Sequence, residues 1–310
     1  MDCIVLLDKV SKHYNGFKAL DDVSLSVKRS ETYVVLGPNG AGKTTLFNII
    51  AGVLKPSSGC VKVFGVDPSD PKIHYKISYL PSTSILYPWL TSMENIEYYA
   101  LIYGLGKDVL NERSSELFDY FGVNDLKFKL ASKLSTGQSK LISIIITLIV
   151  EPELIILDEP TTGLDPNMRK KVLDLIRKLS LENVTIMFAT HIVNEAEELM
   201  GRVAIMDGGK IIVEGNVEEL KKSYAPPSVI TIKTFEEYID KANAILKQYC
   251  GNNVYIINDE LRIHTNDPDR DMPKYILKLS EMGLKVSSVK IDNPTLEDVF
   301  LRLTGRGLKK

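Results

Sequence analysis

Residues 37–45, Gly37-Pro38-Asn39-Gly40-Ala41-Gly42-Lys43-Thr44-Thr45, form a glycine-rich loop between two apolar segments, and this arrangement restricts the fold more than anything else in the chain. Ahead of it, Glu31-Thr32-Tyr33-Val34-Val35-Leu36 reads as a short buried strand. Behind it, Thr44–Leu54 carries Leu46, Phe47, Ile49, Ile50 and Val53 at helical spacing, ended by Pro56. Glycines let backbone N–H groups curl around phosphates, and a helix starting there turns the positive end of its dipole toward them. In such a loop Lys43 reaches the β and γ oxygens and the Thr44 hydroxyl ligates Mg²⁺. Strand, spacing, Lys-Thr pair and helix agree, so the segment is expected to bind a nucleoside triphosphate rather than to be an idle turn.

The rest of the chain supplies a sheet around that loop. Leu154-Ile155-Ile156-Leu157 and Val184–Ala189 are unbroken apolar runs of strand length, as in a parallel sheet buried on both faces. Ile4–Val10 and Val23–Val27 alternate apolar with polar residues and predict antiparallel strands joined through Asn15-Gly16. Further strands are expected at Cys60–Phe64 and Ile77–Leu80, with a Pro/Asp-rich turn at Asp67–Pro71. Thr91 to about Lys133 has helical periodicity. Leu141–Val150, the most apolar window, is half the length a membrane span needs and predicts a buried helix.

Near Lys221–Ser228 the character changes, because Pro226-Pro227 cannot continue a helix. Beyond it the pattern predicts a strand at Val229–Lys233, a helix at Phe235–Tyr249 and a hairpin of Val254–Ile257 with Leu261–His264 across Asn258-Asp259-Glu260. A helix at Met272–Met282, a strand at Val286–Ile291 and a closing helix at Leu296–Leu303 follow. This β-α-β-β-α-β order predicts a small α+β domain. The expected division is a nucleotide-binding domain over residues 1–222, with a helical subdomain at about 83–150, a linker at 223–230 and an accessory domain at 231–310.

Three further segments carry chemistry. Leu154–Leu157 delivers Asp158 and Glu159 to the mouth of the loop, 115 residues after Lys43, where a carboxylate can position Mg²⁺ and its neighbour can polarise an attacking water. Leu134-Ser135-Thr136-Gly137-Gln138 opens the apolar helix 20 residues before Asp158. Ser135 there suits a plain helix cap, but with Gly137 it also forms a second anion site, and the spacing favours that second reading. A chain rarely needs two phosphate sites unless two chains share one nucleotide. His191 follows the strand ending Phe188-Ala189-Thr190; it is either structural or within reach of the γ-phosphate at the sheet's carboxyl edge. His13, His74 and His264 are expected at the surface.

Composition sets the outer limits. At 310 residues the chain is long for a single core, and 44% hydrophobic with 25% charged is an ordinary globular balance. A net charge of −2 argues against a broad nucleic-acid surface, and no nucleic-acid partner is expected. Cys3, Cys60 and Cys250 lie far apart without metal-ligand spacing, as in a reducing compartment. Met1-Asp2-Cys3-Ile4 lacks the basic region and cleavage site of a signal peptide. The protein is expected to be soluble, or held at a membrane only by partners.

In order and spacing, the loop, the Leu-Ser-x-Gly-Gln-like segment, the Asp-Glu strand, the Gly163-Leu164-Asp165 turn and the strand-end His191 resemble the ATP-binding-cassette (ABC) ATPases across residues 1 to about 222. The resemblance implies an α/β P-loop nucleotide hydrolase with a mixed sheet core, an antiparallel β subdomain and a helical subdomain. It implies two copies closing head to tail over two ATP molecules. Ser135, Thr136, Gly137 and Gln138 of one copy would meet the γ-phosphate held by Lys43 of the other. Asp165 would line the dimer interface, Tyr14 would stack on adenine (or be a strand-edge tyrosine), Glu159 would be the catalytic carboxylate and His191 the switch histidine. Asp158 and Thr44 would hold Mg²⁺.

The sequence departs from the family pattern at Ser82, after Ile77-Ser78-Tyr79-Leu80-Pro81, where a glutamine that touches Mg²⁺ and water is expected. Its hydroxyl is too short to replace that amide except through water. Thr136 replaces a glycine, and Ser139-Lys140-Leu141 lacks the usual arginine. Tyr87, Trp89 and Leu90 suit either core packing or a docking cleft for a membrane subunit. Pro294–Gly305 is similar to the tail of cassettes in the sodium, multidrug and antibiotic exporter branch. The resemblance therefore implies an ATPase at the cytoplasmic face of the membrane, driving export through separately encoded integral membrane permease subunits. The alternatives are a non-transport ABC ATPase and a weakly hydrolysing ATP-dependent regulator.

Overall fold

Strands β1 (Cys3–Tyr14) and β2 (Phe17–Lys28) pair antiparallel, with Tyr14 opposite Phe17 at the tip. Asn15 and Gly16 take φ of 47° and 87°. A two-residue turn with both φ positive matches the right-handed twist of its strands, which is why Asn-Gly closes this hairpin. Strand β4 (Ser58–Val63) joins the other edge of β1, making a three-stranded antiparallel sheet.

A six-stranded sheet forms the centre of the first unit. Its order is β5 (Ile77–Leu80), β6 (Leu154–Asp158), β7 (Thr185–Thr190), β3 (Thr32–Leu36), β8 (Arg202–Asp207) and β9 (Lys210–Asn216). All neighbours are parallel except β8 and β9. Every residue of β3, β6 and β7 is buried, the pattern of central parallel strands covered on both faces. The mixed sheet, the antiparallel subdomain and the helical insertion match the fold class expected from the sequence. Because β6, β7 and β3 are neighbours, the segments leaving their carboxyl ends at Glu159, His191 and Gly37 emerge side by side.

Helix α1 (Lys43–Ile50) ends four residues earlier than expected, where Gly52 adopts φ of 76°. A short α2 (Pro71–His74) precedes β5. The periodic stretch from Thr91 divides into α3 (Ser92–Ile102) and α4 (Lys107–Phe121), with 3₁₀ turns at Asn124–Leu126 and Ala131–Lys133. The break falls at Gly104, whose φ is 74°. Thr91 and Glu94 start α3 with reciprocal capping bonds.

Helix α5 (Thr136–Ile149) is the buried helix expected from the sequence, with Leu141, Ile142, Ile144, Ile145 and Ile149 in the interior. Each such side chain contributes about 1.5–3 kcal/mol when fully buried, which anchors the polar first turn of α5. Helices α6 (Pro166–Leu181) and α7 (Val193–Glu198) complete this unit. The computed structural model describes residues 3–257, 260–305 and 307, and among these no helix is long and apolar enough to cross a membrane.

The second compact unit runs from Glu218 to Gly307. After α8 (Val217–Tyr224) it contains β10 (Ser228–Thr234), α9 (Ile239–Cys250), β11 (Val254–Ile257), β12 (Glu260–Thr265), α10 (Pro268–Glu281), β13 (Val286–Asp292) and α11 (Leu296–Thr304). The sheet order β11-β12-β10-β13 is antiparallel throughout, over a core that includes Ile230, Ile232, Leu246, Leu261, Ile263 and Leu279. Asn258-Asp259 of the expected hairpin lie outside the described residues, while Glu260, expected in the turn, instead starts β12 and pairs with Ile257.

Helix α10 begins four residues before Met272 because Asp267 caps it and Pro268 occupies its first position. The expected linker at 223–230 is corrected at both ends: α8 continues through Tyr224 and β10 starts at Ser228. Proline stops a helix, but its fixed φ is compatible with an extended chain entering a strand. The units part between Val217 and Glu218.

Candidate active site

Lys43 starts α1 with Gly42 before it at φ 106°. A Cβ on Gly42 would lie 2.5 Å from the Ala19 carbonyl oxygen and 2.9 Å from Met206 Cε, so the loop closes against β2 and β8 only with glycine there. Three amides in the first turn of α1 have no partner within the helix, which leaves donors aimed outward. The buried Lys43 ammonium donates to the carbonyls of Gly37 (2.8 Å) and Pro38 (3.0 Å) and lies 3.2 Å from Glu159 Oε1. Lys43 and Glu159 therefore share one point above the sheet.

Asp158 ends β6 fully buried, and its Oδ2 accepts from the Thr44 hydroxyl at 2.7 Å. Its Oδ1 is buried without a hydrogen-bond partner among the described residues. Burial pushes the Asp158 carboxyl above its ordinary pKa, with the bond from Thr44 acting the other way. An orphaned carboxylate oxygen beside a hydroxyl is a hard-oxygen donor set that fits Mg²⁺.

Glu159 adopts φ of 48°, in the left-handed region that glycine favours, and its N–H donates to the Ala189 carbonyl at 3.0 Å. That turn aims its carboxylate back toward the loop. Oε1 also lies 3.3 Å from His191 Nδ1. Burial works to raise the Glu159 pKa, but the Lys43 ammonium and then His191 outweigh it and hold the carboxyl below its usual value. Lys43, Thr44, Asp158, Glu159 and His191 are thus brought together, as the sequence predicts.

A cleft of about 410 Å³ continues from this point, lined by Tyr14, Phe17, Asn39, Thr45, Ser82 and Glu159 among others. Tyr14 is 45% exposed and Phe17 64% exposed, so the hairpin tip presents two aromatic faces to it. Phe17 went unassigned in the sequence, although its place across the Asn15-Gly16 turn from Tyr14 is a readable signal. Ser82 is exposed at the cleft edge. Lys140 also went unassigned: its ammonium donates to the Pro81 carbonyl at 3.3 Å and the Asp158 carbonyl at 3.5 Å. His13, His74 and His264 are exposed.

Ser135, Thr136, Gly137, Gln138 and Asp165 line a different cleft, of about 620 Å³, which shares no lining residue with the first. Ser135 Oγ accepts from the Gln138 amide at 3.2 Å, and Gln138 Oε1 accepts from the Ser135 amide at 3.1 Å and from Lys129 Nζ at 3.2 Å. The cap weighed for Ser135 is therefore present. It leaves the hydroxyl proton free to donate to an anion. Asp165 caps α6, accepting from the amides of Asn167 (3.0 Å) and Met168 (3.1 Å). A Cβ on Gly137 would stand 2.8 Å from the Gly163 carbonyl oxygen, so the start of α5 and the 163–165 turn touch backbone to backbone.

Residues 20–162 match the ABC transporter family, and residues 215–304 match the C-terminal domain of the DrrA1-3-like ATP-binding proteins. The chain is 34% identical to the daunorubicin/doxorubicin resistance ATP-binding protein DrrA of Streptomyces peucetius, over 95% of this chain and 90% of that one. It is 29% identical to the linearmycin resistance ATP-binding protein LnrL of Bacillus subtilis (strain 168), over 97% and 98% of the two chains. An ATP-binding cassette solved as a dimer in a post-hydrolysis state with ADP and Pi superposes with a TM-score of 0.63 and 28% identity, covering 68% of this chain and 98% of that one.

Proposed function

The chain belongs to the ABC transporter ATP-binding family, and from that premise we propose that it is the motor subunit of an exporter, working as a pair of copies beneath separate membrane permeases. The relatives named for daunorubicin and linearmycin resistance support an antibiotic cargo. The domain division proposed is a nucleotide-binding cassette followed by an accessory domain of the DrrA-like kind. Its place would be the cytoplasmic face of the membrane, held there by the permeases.

The observation that carries the reading is the meeting of Lys43, Thr44, Asp158, Glu159 and His191 at one edge of the sheet, with Ser135 and Gly137 in a separate cleft. One copy holds half of what a triphosphate needs. Closing two copies head to tail would bring the Ser135–Gln138 turn of one onto the γ-phosphate at Lys43 of the other. Thr44 and Asp158 would hold Mg²⁺, which offsets charge on the β and γ oxygens when bound. Lys43 and the helix α1 amides would stabilise the same charge. Glu159 would polarise the attacking water, with His191 keeping its carboxylate in place.

Hydrolysis in this scheme is mostly positioning and electrostatics, and reopening the pair resets the permeases. Steady-state phosphate release by the purified chain, with light scattering under ATP, tests it. ATP-dependent dimers with turnover support the motor; monomers with no turnover, alone and with the neighbouring permease, overturn it.

Two smaller predictions follow from the cleft. Tyr14→Ala should weaken ATP binding about tenfold, since an aromatic–base stack is worth about 1–3 kcal/mol, and Phe17 retains part of the platform. Equilibrium titration with a fluorescent ATP analogue reads this directly. Ser82→Gln should raise turnover about fivefold, roughly the worth of one added hydrogen bond to water or metal. An unchanged kcat would show that Ser82 already acts through a bridging water.

A further inference from the structure

Glu195 is 1% exposed, in a helix that contributes nothing else to the site. Buried carboxylates are rare unless their oxygens are satisfied, and this one takes a donor on each oxygen. The Thr161 hydroxyl donates to Oε1 at 2.5 Å and the Thr190 hydroxyl to Oε2 at 2.5 Å. Both threonines are themselves buried. Arg169 Nε stands 3.6 Å from Oε1. Burial pushes the Glu195 carboxyl upward, and the two hydroxyls oppose that.

The two threonines flank the reacting pair. Thr161 lies two residues after Glu159, in the turn where Leu164 N–H donates to the Thr161 carbonyl at 3.1 Å. Thr190 directly precedes His191, and its Oγ accepts from the Ile192 amide at 2.9 Å. One chain of hydrogen bonds therefore runs from Ile192 N–H through Thr190 and Glu195 to Thr161, spanning the segments that carry His191 and Glu159. Between those segments the direct side-chain approach is His191 Nδ1 to Glu159 Oε1 at 3.3 Å, beside the backbone bond from Glu159 N–H to the Ala189 carbonyl at 3.0 Å.

We propose that Glu195 is a positioning residue for ATP hydrolysis, a buried clamp that sets the spacing between Glu159 and His191 by holding Thr161 and Thr190 on its two oxygens. It lines neither of the two clefts. Because Thr161 is also four residues before Asp165, the clamp ties the turn facing the second copy to the histidine loop of its own site. The proposal rests on the reading of Glu159 as the water-polarising carboxylate.

The test compares kcat, the Kd for ATP and the melting temperature across variants of the full chain. Glu195→Ala should lower kcat about thirtyfold and Glu195→Gln about fivefold, since an amide oxygen retains one of the two acceptors and misplacement by an ångström costs up to about a hundredfold. The Kd for ATP should change less than about twofold, because the Lys43 cleft is untouched. Thr161→Val with Thr190→Val is nearly isosteric and should reproduce the loss of kcat even if Glu195→Ala fails to fold. In a Glu159→Gln background, Glu195→Gln should reduce the residual rate no further. Normal kcat in both Glu195→Gln and the double valine variant, with Glu159→Gln inactive, overturns the clamp alone. Normal kcat in Glu159→Gln overturns the reading of the site beneath it.

Discussion

Replacing Glu159 by glutamine is expected to cut ATP turnover by roughly 10²–10⁴-fold while ATP binding persists and two copies remain closed over nucleotide. The substitution preserves size, so the turn at φ 48° and the hydrogen bond from Glu159 N–H to Ala189 stay in place. What is lost is the negative charge that faces Lys43 at 3.2 Å and His191 at 3.3 Å. Burial works to raise the pKa of this carboxyl, but the Lys43 ammonium, with His191, holds it below the ordinary carboxylate range, which keeps it charged at neutral pH. Acid should therefore not silence it within the neutral range, and only mutation removes the charge.

Single-turnover phosphate release and light scattering in Mg-ATP measure the two halves of this prediction. Near-normal turnover would take Glu159 out of the catalytic role. Loss of turnover without a stable dimer would leave the role standing and remove the shared-nucleotide scheme.

The parts of the molecule legible in the sequence are those whose signal is local. β6 and β7 are buried at every one of their five and six residues and mostly apolar, and no helix or edge strand explains such runs, so both were readable as central parallel strands. The loop at 37–45 binds its own meaning to its spacing. The helical break at Gly104 was hidden because apolar periodicity resumes on either side of it and only the backbone turns. Strand β9 was not assigned; it alternates exposed with half-buried residues at the sheet edge, a weak pattern.

Glu195 was illegible for a different reason. Its partners Thr161 and Thr190 lie 34 and 5 residues away, one in the turn after β6 and one at the end of β7, and only the adjacency of those strands brings them together. The sequence exposes residues that carry charge to phosphate, because that chemistry has a fixed spacing. It hides those that hold such residues still.

The strongest test of the two-copy arrangement lies away from Lys43. Gly137→Asp should lower turnover on the order of 10²–10³-fold, the usual cost of removing a donor from a developing oxyanion, with ATP still bound by the separate Lys43 cleft. Two effects combine. The new Cβ enters at 2.8 Å from the Gly163 carbonyl oxygen and must displace the turn that ends in Asp165. The new carboxylate then meets the triphosphate with like charge at the first turn of α5, where the helix otherwise favours an anion. Gly137→Ala separates the two, since it adds the crowding without the charge, and should lose less. If turnover is lost because the chain unfolds, the melting temperature falls in both variants and ATP binding falls with it. If the Ser135–Gln138 turn meets the nucleotide of a second copy, ATP affinity of the monomer stays normal while dimers vanish from scattering. Normal dimers and normal turnover in Gly137→Asp would place this turn outside the reaction, and with it the premise that two clefts of opposite kind close on one nucleotide.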